Sequence, residues 1–247
     1  MTPTPDSATV PPVQVLHDGA HAGQYNMDLD AGLLDAAVRQ GYCALRLYQW
    51  QEPTISLGHF QDVDDPVVQQ RFQGLPRVKR LSGGGAILHD RELTYSCVLP
   101  KSHPASQSPG KIYDLMHAGL INVLMEFGVT CRMRGAPLTG PEPFLCFGRG
   151  DPRDVVVGNH KIIGSAQRRR AGAVLQHGSI LLAKSPFAPE FPGVAELTGI
   201  AIDVDQLAAT LQRRLAPLLG TPCPITAWPE SLECVKNPAA GGDALNA

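Results

Sequence analysis

The chain lacks several signatures that would place it quickly. No uninterrupted apolar run reaches the ~18 residues of a membrane span, and a net charge of −2 offers no bulk attraction to nucleic acid or to an anionic membrane. Residues 1–12 carry no basic start followed by an apolar stretch, so a secretory signal is not expected and a disordered lead-in is. None of the six cysteines falls in a CxxC pair, and the eight histidines show no metal-ligand spacing, so neither a structural zinc site nor another metal is expected. A chain of 247 residues does not need disulfide staples. Free thiols in a reducing cytoplasm are therefore the default. There is no internal repeat and no long linker.

What remains is a globular composition, 43% hydrophobic and 18% charged. It suits one domain over 13–235, with a second loose segment at 236–247. Helical periodicity is expected over 26–39, with Gly41 as its stop, over 112–127 and over 203–219. A short helix is expected at 64–72. Strands are expected at 43–50, 54–60, 77–81, 86–89, 93–99, 129–133 and 174–183, and Gly158-Asn159 reads as the turn of a hairpin between 154–157 and 160–163. Four prolines and four glycines within 135–152 forbid regular structure there. Strands in mixed order with intervening helices predict an α+β protein, a mixed β-sheet flanked by helices.

Three segments carry chemistry. In Lys79-Arg80-Leu81-Ser82-Gly83-Gly84-Gly85, three glycines let backbone N–H groups approach a ligand, and the two cations add positive charge. The same run also suits a strained turn, and its spacing is neither a dinucleotide fingerprint nor a P-loop. In His160-Lys161-Ile162-Ile163-Gly164-Ser165-Ala166, a lysine in an apolar strand needs an anion or a task, unless it snorkels at a sheet edge. Cys146 lies in the Gly/Pro-rich loop, whereas Cys43, Cys97 and Cys131 lie in apolar strands and read as small core residues. A loop thiol near a lysine would have a lowered pKa; an inert exposed thiol is the alternative. Arg168-Arg169-Arg170 reads as a solvated hairpin turn, with steering of an acidic partner toward the site as the alternative. His89 and His177 each border a glycine-marked strand.

Together these segments resemble the catalytic domain of the biotin/lipoate A/B protein ligase superfamily. The resemblance rests on residues 79–86 with His89-Asp90, on Lys161 to Gln167, and on Leu175-Gln176-His177-Gly178-Ser179-Ile180. It reaches upstream through Pro53 to Gln61 and Asn26-Met27 with Asp30, covering roughly 24–200. Within the superfamily the chain is most similar to the LipM-type octanoyltransferases. Their nucleophilic cysteine lies in the loop before the lysine strand, as Cys146 lies fifteen residues before Lys161. Two positions depart from the usual pattern: Lys79-Arg80 replaces paired arginines, and Ala31 stands where an acidic residue is common.

The resemblance implies octanoyl transfer from acyl carrier protein, through a Cys146 thioester assisted by Lys161, to a lysine of a lipoyl domain. The glycine cleavage H protein is the first acceptor to consider. No cofactor and no ATP are implied, and a monomer is expected. Arg80, Ser82, Gly83, Gly84, Gly85, His89, Gly164, Ser165, Ala166 and His177 would hold the acyl group and its carrier. Two other readings remain: an ATP-dependent lipoate ligase working through an acyl-adenylate, and a non-catalytic carrier-binding protein of the same fold.

Overall fold

The computed structural model describes residues 11–140, 142–229 and 232. The expected loose ends therefore lie outside the described residues, apart from Pro11 and Pro12. In chain order the elements are β1 (Val13–His21), α1 (Gly23–Gln40), β2 (Cys43–Trp50), β3 (Thr54–Leu57), α2 (Pro66–Arg71), β4 (Arg77–Lys79), β5 (Ile87–His89) and β6 (Glu92–Leu99). They continue with α3 (Pro109–Glu126), β7 (Arg132–Met133), β8 (Val155–Val157), β9 (His160–Arg170), β10 (Ala173–Leu181), α4 (Val194–Thr198), α5 (Val204–Leu219) and β11 (Pro222–Pro224).

Eight strands form one mixed sheet in the order β11-β1-β2-β6-β10-β9-β8-β7. The β11, β1 and β2 strands run parallel, and every pairing from β2 to β7 is antiparallel. A smaller sheet, β4-β3-β5, carries the glycine run just past β4. This is the expected α+β arrangement.

Strand alternation sorts the side chains into two layers. Cys43, Leu45 and Leu47 of β2 and Leu93, Tyr95, Cys97 and Leu99 of β6 point to one face, where α3 and α5 cover them with Ile112, Met116, Leu120, Leu207, Leu211 and Leu215. Ala44 and Val98 point to the other, under Leu29, Leu33, Leu34 and Ala37 of α1. The second face is not wholly apolar. Arg46, fully buried, pairs with Asp18 at 2.7 Å and Asp30 at 3.3 Å and donates to Asn26.

Local chemistry sets the boundaries. Gly41 ends α1 in the left-handed region, with its N–H on Ala36 O. The Asp203 side chain caps α5 and the Asp65 side chain caps α2. The third strand stops at Leu57, not Phe60, because the chain turns there, with Gln61 N–H donating to Gly58 O at 2.9 Å. The Gly158-Asn159 turn joins β8 to β9 as expected. The arginine triplet is not a turn: it completes β9, and the two-residue turn is Ala171-Gly172, both at positive φ (49° and 86°). Arg170 reaches Asp35 of α1 at 2.7 Å, tying this hairpin to the helix. Among the described residues no helix is long and apolar enough to cross a membrane.

Candidate active site

Cys146 opens a short 3-10 turn within the loop 135–152. Backbone bonding fixes its place: Cys146 N–H donates to Ala86 O at 2.7 Å, and Ala86 N–H donates to Phe144 O at 3.0 Å. The loop thus adds itself to the start of β5, directly after the three glycines. A Cβ on Gly85 would lie 2.6 Å from Arg149 Nε and 2.8 Å from Phe144 O, so only glycine lets the two loops touch.

Lys161 enters from β9. Its side chain is 4% exposed, which rules out snorkelling. The ammonium lies 2.9 Å from Asp154 Oδ1, 3.2 Å from Cys146 O and 3.7 Å from Cys146 Sγ, a partner for each of its three protons. The Phe147 ring passes 5.4 Å beneath it. Gly164 makes the space, since a Cβ there would stand 2.4 Å from Lys161 Cε. Asp154 in turn accepts the Asp151 N–H at 2.8 Å.

The glycine loop is braced from below. Arg80, 2% exposed, spreads its guanidinium over Ser56 O (2.7 Å), Ser56 Oγ (2.9 Å), Gly83 O (3.1 Å) and Gly85 O (2.9 Å). Burial pulls its pKa down to about 10. Ser82 Oγ meets His177 Nε2 at 2.5 Å, and His177 Nδ1 meets Asp30 Oδ2 at 3.3 Å. Burial pushes the Asp30 carboxyl up, but the His177 hydrogen bond and the Arg46 charge outweigh it and leave the pKa below the usual carboxylate value. His89 is held by Ser56 Oγ at 2.7 Å and Glu92 at 3.4 Å, and stacks on Trp50 with 3.9 Å between ring centres. Burial holds His89 below the ordinary histidine value.

Two spaces meet at Cys146. An open cleft of about 450 Å³ is lined by Cys146, Lys161, Asp154, Ser165, His117 and the glycine pair Gly84-Gly85. A narrower cavity of about 60 Å³ runs inward past Gly83, Gly164, Ser165, Ala166 and His177 to Met27, Tyr48, Trp50 and His89. The sequence-selected residues therefore converge, with Arg80 and Ser82 serving the loop's geometry. Sequence reasoning missed Asp154, whose position beside a hairpin carrying Lys161 was a usable signal. It also missed His117, which is embedded in the apolar periodicity of α3.

The chain belongs to the lipoyl protein ligase A/B catalytic-domain family, whose profile matches residues 22–188. It is similar to the octanoyltransferase LipM of Kyrpidia tusciae, 37% identical over 189 residues that cover 71% of this chain and 68% of that protein. It is also similar to the octanoyltransferase LipM of Geobacillus kaustophilus, 36% identical over 170 residues, covering 64% of this chain and 61% of that one. In fold it resembles the bi-partite lipoate protein ligase described with its E2 lipoyl domain from Thermoplasma acidophilum. The TM-score is 0.65 at 19% identity, over 91% of each chain.

Proposed function

We propose that residues 13–235 act as one catalytic unit, an octanoyltransferase that moves octanoyl from acyl carrier protein to a lysine of a lipoyl domain through a thioester on Cys146. The observation that carries this reading is the Lys161 ammonium 3.7 Å from Cys146 Sγ. Its setting in the family and its likeness to the LipM octanoyltransferases give the acyl group.

In the first half-reaction the Cys146 thiolate attacks the carrier's thioester carbonyl, and the carrier's thiolate leaves. One thioester replaces another, so ATP is not required. Lys161 stabilises the oxyanion of the tetrahedral intermediate, aided by backbone N–H groups around Gly164 and Gly83 to Gly85. In the second half-reaction an amine converts the thioester to an amide, which is strongly downhill.

The inner cavity is assigned to the octanoyl chain because it opens at Cys146 and carries the apolar side chains of Met27, Trp50 and Ile87. Burying that chain at ~0.8 kcal/mol per CH₂ contributes several kcal/mol of recognition. Arg80 and Ser82 shape the glycine loop, while Ser165, Ala166, His89 and His177 line the chain's path. The glycine cleavage H protein is the first acceptor to try. A free nucleophilic thiol suits a reducing cytoplasm, and nothing in the scheme needs a second copy of the chain.

Intact-protein mass spectrometry with octanoyl-loaded acyl carrier protein and no ATP tests the reading. An adduct of one octanoyl group, absent in Cys146→Ala and discharged by a lipoyl domain, is the expected result. Transfer that requires ATP and free acid would make the chain a ligase and Cys146 a bystander. Tight carrier binding with no adduct under either condition would mark a binding protein.

A further inference from the structure

His117 lies outside every motif on which the transferase reading rests, yet one hydroxyl joins it to the reacting centre. The ring is buried on α3, with Nδ1 2.6 Å from Arg153 O and Nε2 2.7 Å from Ser165 Oγ. A carbonyl only accepts, so Nδ1 carries the ring proton and Nε2 offers its lone pair to the Ser165 hydroxyl. The rest of the chain follows by the same logic. Ser165 Oγ accepts from Tyr95 OH at 2.7 Å, Tyr95 OH accepts from Gln176 Nε2 at 2.8 Å, and Gln176 Oε1 accepts from Gln167 Nε2 at 2.8 Å. Every proton in this row points toward His117.

The joint is built with little slack. A Cβ on Gly178 would stand 2.3 Å from Ser165 Oγ and 2.6 Å from Tyr95 Cε1. Ser165 lines both the open cleft and the inner cavity, as do Cys146 and Gly84. The groups around the imidazole are Lys161 from β9, Asp151, Arg153 and Asp154 from the segment before β8, and Tyr113 from α3, its ring edge-on at 5.9 Å. Burial is the largest influence and keeps the imidazole below the ordinary histidine range. The Arg153 carbonyl, Asp154 and Asp151 oppose it, and Lys161 adds to it.

The second half-reaction needs a proton acceptor. Lys161, an ammonium pinned by Asp154, has no lone pair to give. We propose that Ser165 and His117 form the proton relay of that step, an inference that rests on the transferase reading. As the acceptor lysine's neutral amine forms its C–N bond to the thioester carbon, its nitrogen passes a proton to Ser165 Oγ. Ser165 passes its own proton to His117 Nε2. Collapse of the intermediate breaks the C–S bond, and the thiolate leaves onto the Lys161 ammonium. The imidazolium then returns its proton to the sulfur or to solvent, and the site is reset.

The test separates the two half-reactions. Octanoyl-enzyme is formed from octanoyl-loaded acyl carrier protein, isolated, and mixed with a lipoyl domain across about pH 5 to 8, the range of histidine titration. His117→Gln keeps a donor for Arg153 O and an acceptor for Ser165 but cannot take a proton. It is expected to acylate at the wild-type rate and to discharge on the order of 10²-fold more slowly. Its discharge should also lack the wild-type rise in rate as the histidine loses its proton. Ser165→Ala should slow discharge alike and serves where His117→Gln does not fold. Discharge of His117→Gln at the wild-type rate with the wild-type pH profile would overturn the relay. Equal slowing of both half-reactions would also overturn it, leaving a structural prop. Wild-type protein that takes up no octanoyl group would remove the transferase reading and the relay together.

Discussion

Asp154 and Lys161 face each other at 2.9 Å across the β8–β9 hairpin, with side chains 5% and 4% exposed. The pairing decides which way the ammonium points. One proton is committed to the carboxylate, which aims the others at the Cys146 carbonyl and sulfur. Asp154→Ala removes one partner of a buried pair, and stability is expected to drop by about 3–5 kcal/mol. Formation of the octanoyl-enzyme should slow by about 10²-fold. Urea unfolding and single-turnover mass spectrometry read the two effects separately. An Asp154→Asn protein as active as wild type would show that the charge on residue 154 is not required.

The cysteines should separate by reactivity. Burial pushes the Cys43 thiol up to about 12 and raises Cys97 further, while Cys131 is pushed up to about 11. Cys146 is half-buried beside an ammonium. Alkylation of the folded protein near pH 7.5, roughly one unit below a free thiol, should modify Cys146 well before Cys43 and Cys97. Peptide mapping against time reads the order. Loss of that preference in Lys161→Met would tie it to the ammonium.

Gly85 is where the glycine loop and the cysteine loop meet. In Gly85→Ala the new methyl would meet Arg149 Nε at 2.6 Å and Phe144 O at 2.8 Å, and backbone cannot give way cheaply. A cost of about 1–3 kcal/mol is expected, as for overpacking in general. Because the contact carries Cys146, acyl-enzyme formation should fall more steeply than the melting temperature. Activity that tracks stability alone would count against the contact as a determinant of the site.

Acid should weaken the fold in two stages. His89 and His117 are held neutral, below the ordinary value of 6.5, so the unfolded chain binds more protons as pH falls past that value. Their contribution is intact above 6.5 and is lost as pH falls from there through their folded values. Asp30 sits below its ordinary 3.8, so its contribution persists above 3.8 and is lost lower still. Denaturant midpoints measured against pH should show both stages. His117→Gln should flatten the first.

Much of the site was legible. The triglycine, Lys161 and the loop cysteine each allow a bland reading alone, and it is their order and spacing together that single them out. The helices at α1, α3 and α5 follow from apolar periodicity with clear stops. Other parts left no local trace. The strand Val13–His21 contains His-Asp-Gly-Ala-His and becomes a strand through parallel pairing with β2. The arginine triplet reads as a turn until β10 is laid beside it. His117 becomes informative only when β9 and α3 converge.

The amino-acid sequence by itself determined which groups are available: a thiol in a Gly/Pro-rich loop, a lysine in an apolar strand, and glycines where no side chain fits. These properties are local, set by periodicity, by backbone freedom and by the chemistry of single residues. Only the tertiary structure decided that Lys161 points at Cys146, that Arg80 ties the glycine loop to Ser56, and that His117 meets Ser165 at the wall of the cleft. Those are distances between side chains that lie on different segments. They are fixed by sheet register and by which face of the sheet each helix covers.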